Sequence, residues 1–558
     1  MPANMPTFNH AHRAIHFPED RLLHVWMSHS TIALIFAVVA IPILAAWLQY
    51  LVFGLAPELS NYAIDPRLPP NPHGFPAWLR LTHLFNFFFL LLLARSGLSI
   101  LADHPRLYWN RHCTPGTEWI RFTPLAVPQD RLWTAKDDAR YISPLLALPG
   151  YRHTVGMARS WHFLSLCGFL LNGFLFVVLL FCTDQWKRLV PTSWEIVPEA
   201  WNTFVHYVTF HMPVEPNGFY HYNPLQQLSY FGVIFVMVPL SMLTGMAMSP
   251  ALDNRFPWFP KVFGGRQAAR SLHFLLLVGY LGFLVVHVSL VAATGFVRNM
   301  NHIVMGTDNQ NPIAIMIGLT AMGGVVASWA IAHFIAWRFP RQVQQVHRFL
   351  AAPFLNVLNR FHPRERYTRD DISPFFWPNG KLPVSDEWKR LAEGGFRDYR
   401  LKIGGLVQHP LSLSLADLKH LDRKEHISLH HCIQGWSGIA HWAGVPMTRI
   451  IGLVKPRSEA KVVAFFSFGE GLYGGVYYDT QTLANVLKSE CILAYEMNYQ
   501  PLTEVYGAPL RLRVENQLGY KMVKWIESIE FVESEKMLGK GQGGKNEDDE
   551  YFDLLPNI

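Results

Sequence analysis

Cysteine is scarce in this chain, and charge is absent from its longest apolar runs. The five cysteines, Cys113, Cys167, Cys182, Cys432 and Cys491, form no Cys-x-x-Cys pair. Local spacing therefore excludes a zinc ribbon, covalently attached c-type haem and an ordinary iron–sulfur cluster. No stripe of interleaved basic and aromatic residues is present, so nucleic acid is not an expected partner. No secretory apolar core and no twin arginine opens the sequence, which agrees with a cytoplasmic soluble part. A disulfide framework is not expected in such a compartment.

What is present is a division into two unlike halves. The 558 residues exceed one ordinary domain. Residues 1–340 are apolar and aromatic, with most charge confined to loops and Arg95 inside a span, whereas the chain beyond carries short alternating strand-like runs and no run of span length. Runs long enough to cross a bilayer occur at 31–54, 81–102, 161–182, 228–249, 271–297 and 312–337. The division predicted is a membrane domain over 1–340, a linker over 341–374, a soluble domain over 375–536 and a flexible tail over 537–558.

Histidines mark the apolar half. His273 and His287 lie fourteen residues apart in one uncharged run. At 1.5 Å per residue that is about 21 Å along a helix, close to four whole turns, so both rings share one face. One helix then holds a nitrogen ligand near each bilayer surface, as two stacked haems require. His83 and His162 each stand near the start of a span. Consecutive spans alternate direction, so His162 joins His273 at one surface and His83 joins His287 at the other. Ionisable side chains inside a membrane are costly and mark function. His24, His29, His104, His153 and His333 lie near interfaces and are not expected to be ligands.

Orientation follows from loop charge. The loop after the second span carries eight Lys and Arg between Arg106 and Arg159, and the loop after the fourth carries Arg255, Lys261, Arg266 and Arg270. The intervening loops are poor in both. By the positive-inside rule, the termini, the soluble domain and the His162/His273 pair are expected on the cytoplasmic side of a bacterial inner membrane.

Cys432 lies where a strand-like run meets polar and glycine residues, in Ser428-Leu-His-His-Cys-Ile-Gln-Gly-Trp-Ser437. On chemistry alone it reads as a buried structural thiol. Its neighbourhood carries a resemblance. His431-Cys-Ile-Gln-Gly-Trp436, Trp442-Ala-Gly-Val-Pro446, Ile492-Leu-Ala-Tyr-Glu-Met-Asn498, Tyr506-Gly-Ala-Pro-Leu-Arg511 and Gly519-Tyr-Lys-Met-Val-Lys-Trp525 follow in order. Together they resemble the molybdopterin-binding domain of the sulfite oxidase family, an α+β fold. The resemblance implies that Cys432 is the thiolate ligand of molybdenum, a soft donor that binds deprotonated. It implies that Arg511, Lys524 and Ser467 contact the pterin and its phosphate, with the backbone of Met522 and Val523 alongside. Phe376, Trp377 and Asn379 fall where the family closes over the cofactor. Two departures stand out. Trp436 stands near the position where sulfite oxidases carry an anion-holding arginine, as in the branch of the bacterial protein-methionine-sulfoxide reductases. Tyr506 replaces the usual His or Asn. Gln434, Trp436, Tyr473 and Tyr478 are candidates for shaping the pocket.

The apolar half resembles the di-haem b-type cytochrome subunit of formate dehydrogenases, nickel–iron hydrogenases and thiosulfate reductases. The matching stretches are Arg80-Leu-Thr-His83 through Gly97, Asn223-Pro-Leu-Gln-Gln227 through Gly245, and Arg270-Ser-Leu-His273 through His287. The resemblances together imply six transmembrane helices followed by a molybdopterin domain, with two haems b, a quinone partner and a small oxyanion, S-oxide or N-oxide substrate. A homodimer is common in both families. The membrane potential favours outward electron flow and hence sulfite oxidation, whereas the motif around Trp436 favours S-oxide reduction. The alternative is an electron conduit or redox sensor whose pterin fold binds without turnover.

Overall fold

The computed structural model describes residues 26–60, 74–123, 127–128, 130–140, 142–143, 146–147, 155–212, 217–361, 367–488, 490–554 and 556–558. His24 and His153 lie outside the described residues.

Six helices are long and apolar enough to cross a membrane: α1 His29–Phe53, α2 Ala77–Asp103, α3 Val155–Cys182, α4 Pro224–Ala247, α5 Arg266–Ala293 and α6 Ile313–Arg338. Each overlaps an apolar run of the sequence, extended by the polar residues that cap or flank it. The Ser28 hydroxyl accepts from the Thr31 N–H to start α1, and Asn223 forms a reciprocal capping box with Gln226 to start α4. Within α4 the turn Gly232–Met237 widens to π spacing. Pro239 follows it and has no N–H to continue the ladder, so the widened turn absorbs the break.

Helices α2 and α3 pack antiparallel. Asn172 Nδ2 donates to the Thr82 carbonyl at 2.9 Å and to Asn86 Oδ1 at 2.7 Å. A turn further on, Gly168 faces the Phe89 ring. At the far end Ser96 meets His162. The N-terminal ends of α3 and α5 thus stand beside the C-terminal end of α2.

The C-terminal domain holds two five-stranded sheets. Its main strands are β1 Arg400–Gly405, β2 Leu411–Ser414, β3 Lys424–His431, β4 Ser437–Pro446, β5 Val462–Glu470, β6 Val476–Thr482, β7 Ile492–Met497, β8 Gln500–Pro501, β9 Arg511–Arg513 and β10 Ile526–Val532. One sheet runs β2-β1-β10-β5-β6, antiparallel except for β1 beside β10. The other runs β8-β7-β4-β3, with β9 also on β7. A core of Leu401, Ile403, Val445, Val463, Phe465, Leu493, Leu512, Ile529 and Phe531, all at most 2% exposed, fills this domain. Gly444 has no room for a side chain, since a Cβ there would lie 1.9 Å from the Leu493 carbonyl oxygen on the paired strand.

Two segments differ from expectation. The predicted linker begins with a helix, α7 Pro340–Leu358, whose sequence keeps one polar face. The predicted flexible tail is packed. Arg341 on α7 donates to the carbonyls of Glu547 and Asp548 at 2.7 and 2.9 Å, and Gln344 donates to those of Tyr551 and Phe552 at 2.9 Å each. Lys521 is fully buried between Asp479 and Glu547, with Glu547 Oε1 at 2.5 Å. The glycines of this tail suggested flexibility, but its acidic residues find buried cationic partners that only the tertiary fold brings near.

Candidate functional site

The helices bring the four histidines together in two pairs. The His83 and His287 rings lie 6.2 Å apart between centroids, and those of His162 and His273 lie 6.4 Å apart. Hydroxyls fix the second pair. Ser96 Oγ donates to the Leu92 carbonyl at 2.8 Å and lies 3.0 Å from His162 Nδ1. Thr244 Oγ1 donates to the Leu240 carbonyl at 2.8 Å and lies 3.0 Å from His273 Nδ1. Each hydroxyl spends its proton on a carbonyl, so it accepts from Nδ1–H. Both imidazoles are thereby held as Nδ1–H tautomers with the Nε2 lone pair free to bind a metal. Gly97 and Gly245 lie beside these rings, where a Cβ would come within 3.8 and 3.6 Å of their Cε1 atoms.

The ring separations fit a shared metal. Two metal–nitrogen bonds of about 2.0 Å, with a ring radius of about 1.1 Å on each side, put imidazole centroids about 6.2 Å apart. Each histidine pair would thus suit the iron of a b-type haem, which would supply one-electron transfer there.

The second pair stands at the end of the bundle that grips Cys432. In the turn after this residue, the Gly435 carbonyl accepts from Arg266 Nη1 at 2.9 Å and Gln267 Nε2 at 3.0 Å, both in the first turn of α5. His273 lies two turns further along the same helix. Gln434 Nε2 donates to the carbonyls of Asp103 and Ala135 at 3.2 and 3.3 Å, tying the turn to the end of α2 and to the loop after it. Around the Cys432 sulfur stand Asn379 Nδ2 at 3.9 Å and Gln434 Oε1 at 3.7 Å. Burial pushes the Cys432 thiol up to about 12. It is a neutral thiol until a cation takes its proton's place, as metal binding does.

A cradle of aromatic and cationic side chains surrounds the thiol. Phe376 lies 5.5 Å from Trp436, 5.7 Å from Trp442 and 6.0 Å from Tyr506, between centroids. Arg511 stacks over Trp442 at 4.7 Å and donates to the Tyr506 carbonyl at 3.0 Å. The buried Nε atoms of Arg511, Trp436 and Trp442 have no hydrogen-bond partner among the described residues. Sealed polar groups are normally paired, so this donor set suits a polar ligand rich in acceptors, such as a pterin with its phosphate.

Two family models match the chain. Residues 74–306 match "Prokaryotic cytochrome b561" and residues 389–538 match "Oxidoreductase molybdopterin binding domain". The chain joins a cytochrome b561 domain to a molybdopterin-binding oxidoreductase domain. The subunit YedZ1 of Azospira oryzae is 32% identical over 31% of this chain and 61% of its own length. Catalytic subunits of protein-methionine-sulfoxide reductase, MsrP, also match. That of Campylobacter jejuni is 28% identical over 29% of this chain and 58% of its own, and that of Xanthomonas axonopodis pv. citri 34% over 24% and 45%. The chain thus spans about half the length of the curated relatives it matches. The cytochrome b561 domain and six apolar helices indicate a multi-pass membrane protein.

Within the molybdopterin domain most of the sequence-chosen residues converge. Cys432, Gln434, Trp436, Phe376, Trp377 and Tyr506 are gathered in or against one buried cluster. Lys524 Nζ reaches the carbonyls of Asn379 and Val505, the latter at 3.0 Å. The Ser467 hydroxyl donates to the Lys524 carbonyl at 2.7 Å, and Met522 and Val523 are buried. One candidate goes elsewhere. The Tyr478 hydroxyl is committed to Asp548 of the tail at 2.5 Å, because β6 turns that face toward the C-terminus. Tyr473 is half-exposed, within electrostatic reach of Lys136. Sequence reasoning missed the cytochrome domain's own contribution. Tyr108, Cys113 and Ala135 enter the same cluster as Cys432, and Trp377 Nε1 donates to the Cys113 carbonyl at 2.8 Å. The aromatics of this loop, Tyr108, Trp109, Trp119, Phe122 and Trp133, were the available signal. His104, expected at an interface, is fully buried 5.2 Å from Trp377.

Proposed function

We propose that this protein is a membrane-bound molybdenum S-oxide reductase, fed by quinol through two b haems. His83 with His287 holds one haem and His162 with His273 the other. Cys432 ligates molybdenum, and Arg511, Lys524, Ser467 and the backbone of Met522 and Val523 bind the pterin. The domains divide near residues 340 and 375. The molybdopterin domain and the His162/His273 haem lie on the cytoplasmic side of a bacterial inner membrane, as the basic loops favour.

One observation carries the reading. The helix that bears His273 and His287 also grips, by its first turn, the loop just after Cys432. Electrons entering at the far pair then have a continuous protein frame, about 21 Å between the two α5 histidines, ending against the molybdenum site. Quinol oxidation releases two electrons and two protons. Reduction of an S-oxide consumes two of each, breaks the S–O bond and yields sulfide and water. The cofactors carry the electrons, while the protein provides ligands, spacing and electrostatics. Reduction is favoured over sulfite oxidation by the relatives named as methionine-sulfoxide reductases and by Trp436 in place of an anion-holding arginine.

The test is metal analysis with an optical titration of the purified protein. The expected result is two haems per molybdenum and reoxidation of dithionite-reduced haems by dimethyl sulfoxide. Haem reduction by added sulfite would reverse the assigned direction. Neither reaction would leave an electron conduit or sensor.

A further inference from the structure

Residues 104–123 and 130–140, which follow α2, belong to the cytochrome domain, yet they roof the thiol. They are fastened on both sides. Arg106 makes a two-pronged bond to Asp138 at 2.8 Å and a second ion pair to Glu118 at 2.6 Å, all buried. Across the domain boundary, the Ala135 N–H donates to the Pro378 carbonyl at 2.9 Å, and His112 meets Ser373 at 2.9 Å. Under this roof Cys432 is only 3% exposed.

Two side chains of the roof lack a hydrogen-bond partner among the described residues. His104 and Tyr108 are each 0% exposed, and their rings stack at 6.0 Å. Among the described residues neither ring nitrogen of His104 is hydrogen-bonded, nor is the Tyr108 hydroxyl. His104 packs edge-on to Trp377, and Tyr108 shares the apolar cluster of Cys432. Polar atoms sealed from water on two stacked rings are the mark of a site whose partner is a ligand. The surroundings are cationic on one side. Arg270 donates to the carbonyls of Arg106 and His104 at 2.8 and 2.6 Å.

We propose that the cytochrome domain's loop completes the molybdenum pocket, and that His104 and Tyr108 hydrogen-bond the oxygen of a small, free S-oxide. The inference rests on the reductase reading and sharpens it. A fastened roof over a buried thiol stands in the way of a side chain carried on a folded protein, and leaves a small molecule as the substrate it suits. Methionine sulfoxide within a folded protein is therefore not the substrate.

The test uses the full-length holoenzyme, its Tyr108→Phe variant and its His104→Gln variant, with reduced methyl viologen as electron donor. In each variant KM for dimethyl sulfoxide is expected to rise about five- to tenfold, the loss of roughly one hydrogen bond. Molybdenum content and haem spectrum stay unchanged. The paramagnetic resonance signal of pentavalent molybdenum is expected to shift in both. Wild type is expected to reduce dimethyl sulfoxide and free methionine sulfoxide but not peroxide-oxidised calmodulin. Unaltered KM and resonance signal in both variants would overturn the proposal, as would equal rates on calmodulin and on the free amino acid. Should wild type reduce no S-oxide at all, the reductase reading fails, and the resonance comparison alone decides whether the loop faces the metal.

Discussion

The hydroxyls behind His162 and His273 offer a quantitative handle on the haem proposed to lie nearer molybdenum. Ser96→Ala and Thr244→Val each delete one acceptor, at 3.0 Å, for an Nδ1–H. An Nδ1–H bond makes the imidazole a stronger donor and so stabilises the oxidised iron. Deletion must therefore raise the midpoint potential of that haem. A net hydrogen bond is worth about 1 kcal/mol. For a one-electron couple, where a tenfold change is about 59 mV, this converts to roughly 40 mV. The double variant is expected at about twice that shift, if the two ligands act independently. An optical redox titration resolves the two haems, and only one wave should move, with His83 and His287 untouched. Two waves moving together, or neither moving, would refute the reasoning that these hydroxyls hold axial ligands of one haem.

Three further outcomes are expected. Cys432→Ser removes the thiolate and should abolish S-oxide reduction by reduced viologen while the haem spectrum is retained, checked by turnover and absorbance on the same sample. Lys521→Met leaves Asp479 and Glu547 buried without their cation and should destabilise the molybdopterin domain by about 3–5 kcal/mol, read as a lowered thermal midpoint. Bonds from Arg298 and His302 hold Asp308 down at about 2 from an ordinary 3.8. A depressed carboxyl contributes its stability above its unfolded value and loses it as pH falls through the folded one. Asp308→Asn should therefore lower the thermal midpoint near neutral pH and have little effect near pH 2.

Much of the fold was legible because membrane helices announce themselves by length and apolarity. The histidine pairing was legible because helix periodicity and alternating direction leave few ways to pair His83, His162, His273 and His287. The role proposed for Cys432 comes only from a motif, since a buried thiol looks alike in any core. The contacts between halves were not legible. That Arg266 and Gln267 would cap the Gly435 carbonyl, or that Lys136 would meet Glu550 across 414 residues at 3.1 Å, depends on pairings no local pattern encodes. His104 misled for the same reason. Its position at the end of a span suggested an interface, and only the loop folding back over it makes it buried. The tail misled through composition, because Gly539, Gly541 and Gly543 serve positive backbone angles in a packed turn.

The proposed route carries electrons to molybdenum through the His162/His273 pair. Purified protein in liposomes is given a quinol and dimethyl sulfoxide and compared with a His273→Ala variant. The variant is expected to lose quinol-driven reduction but keep reduction by viologen added on the molybdopterin side. Undiminished quinol-driven turnover in His273→Ala would contradict it.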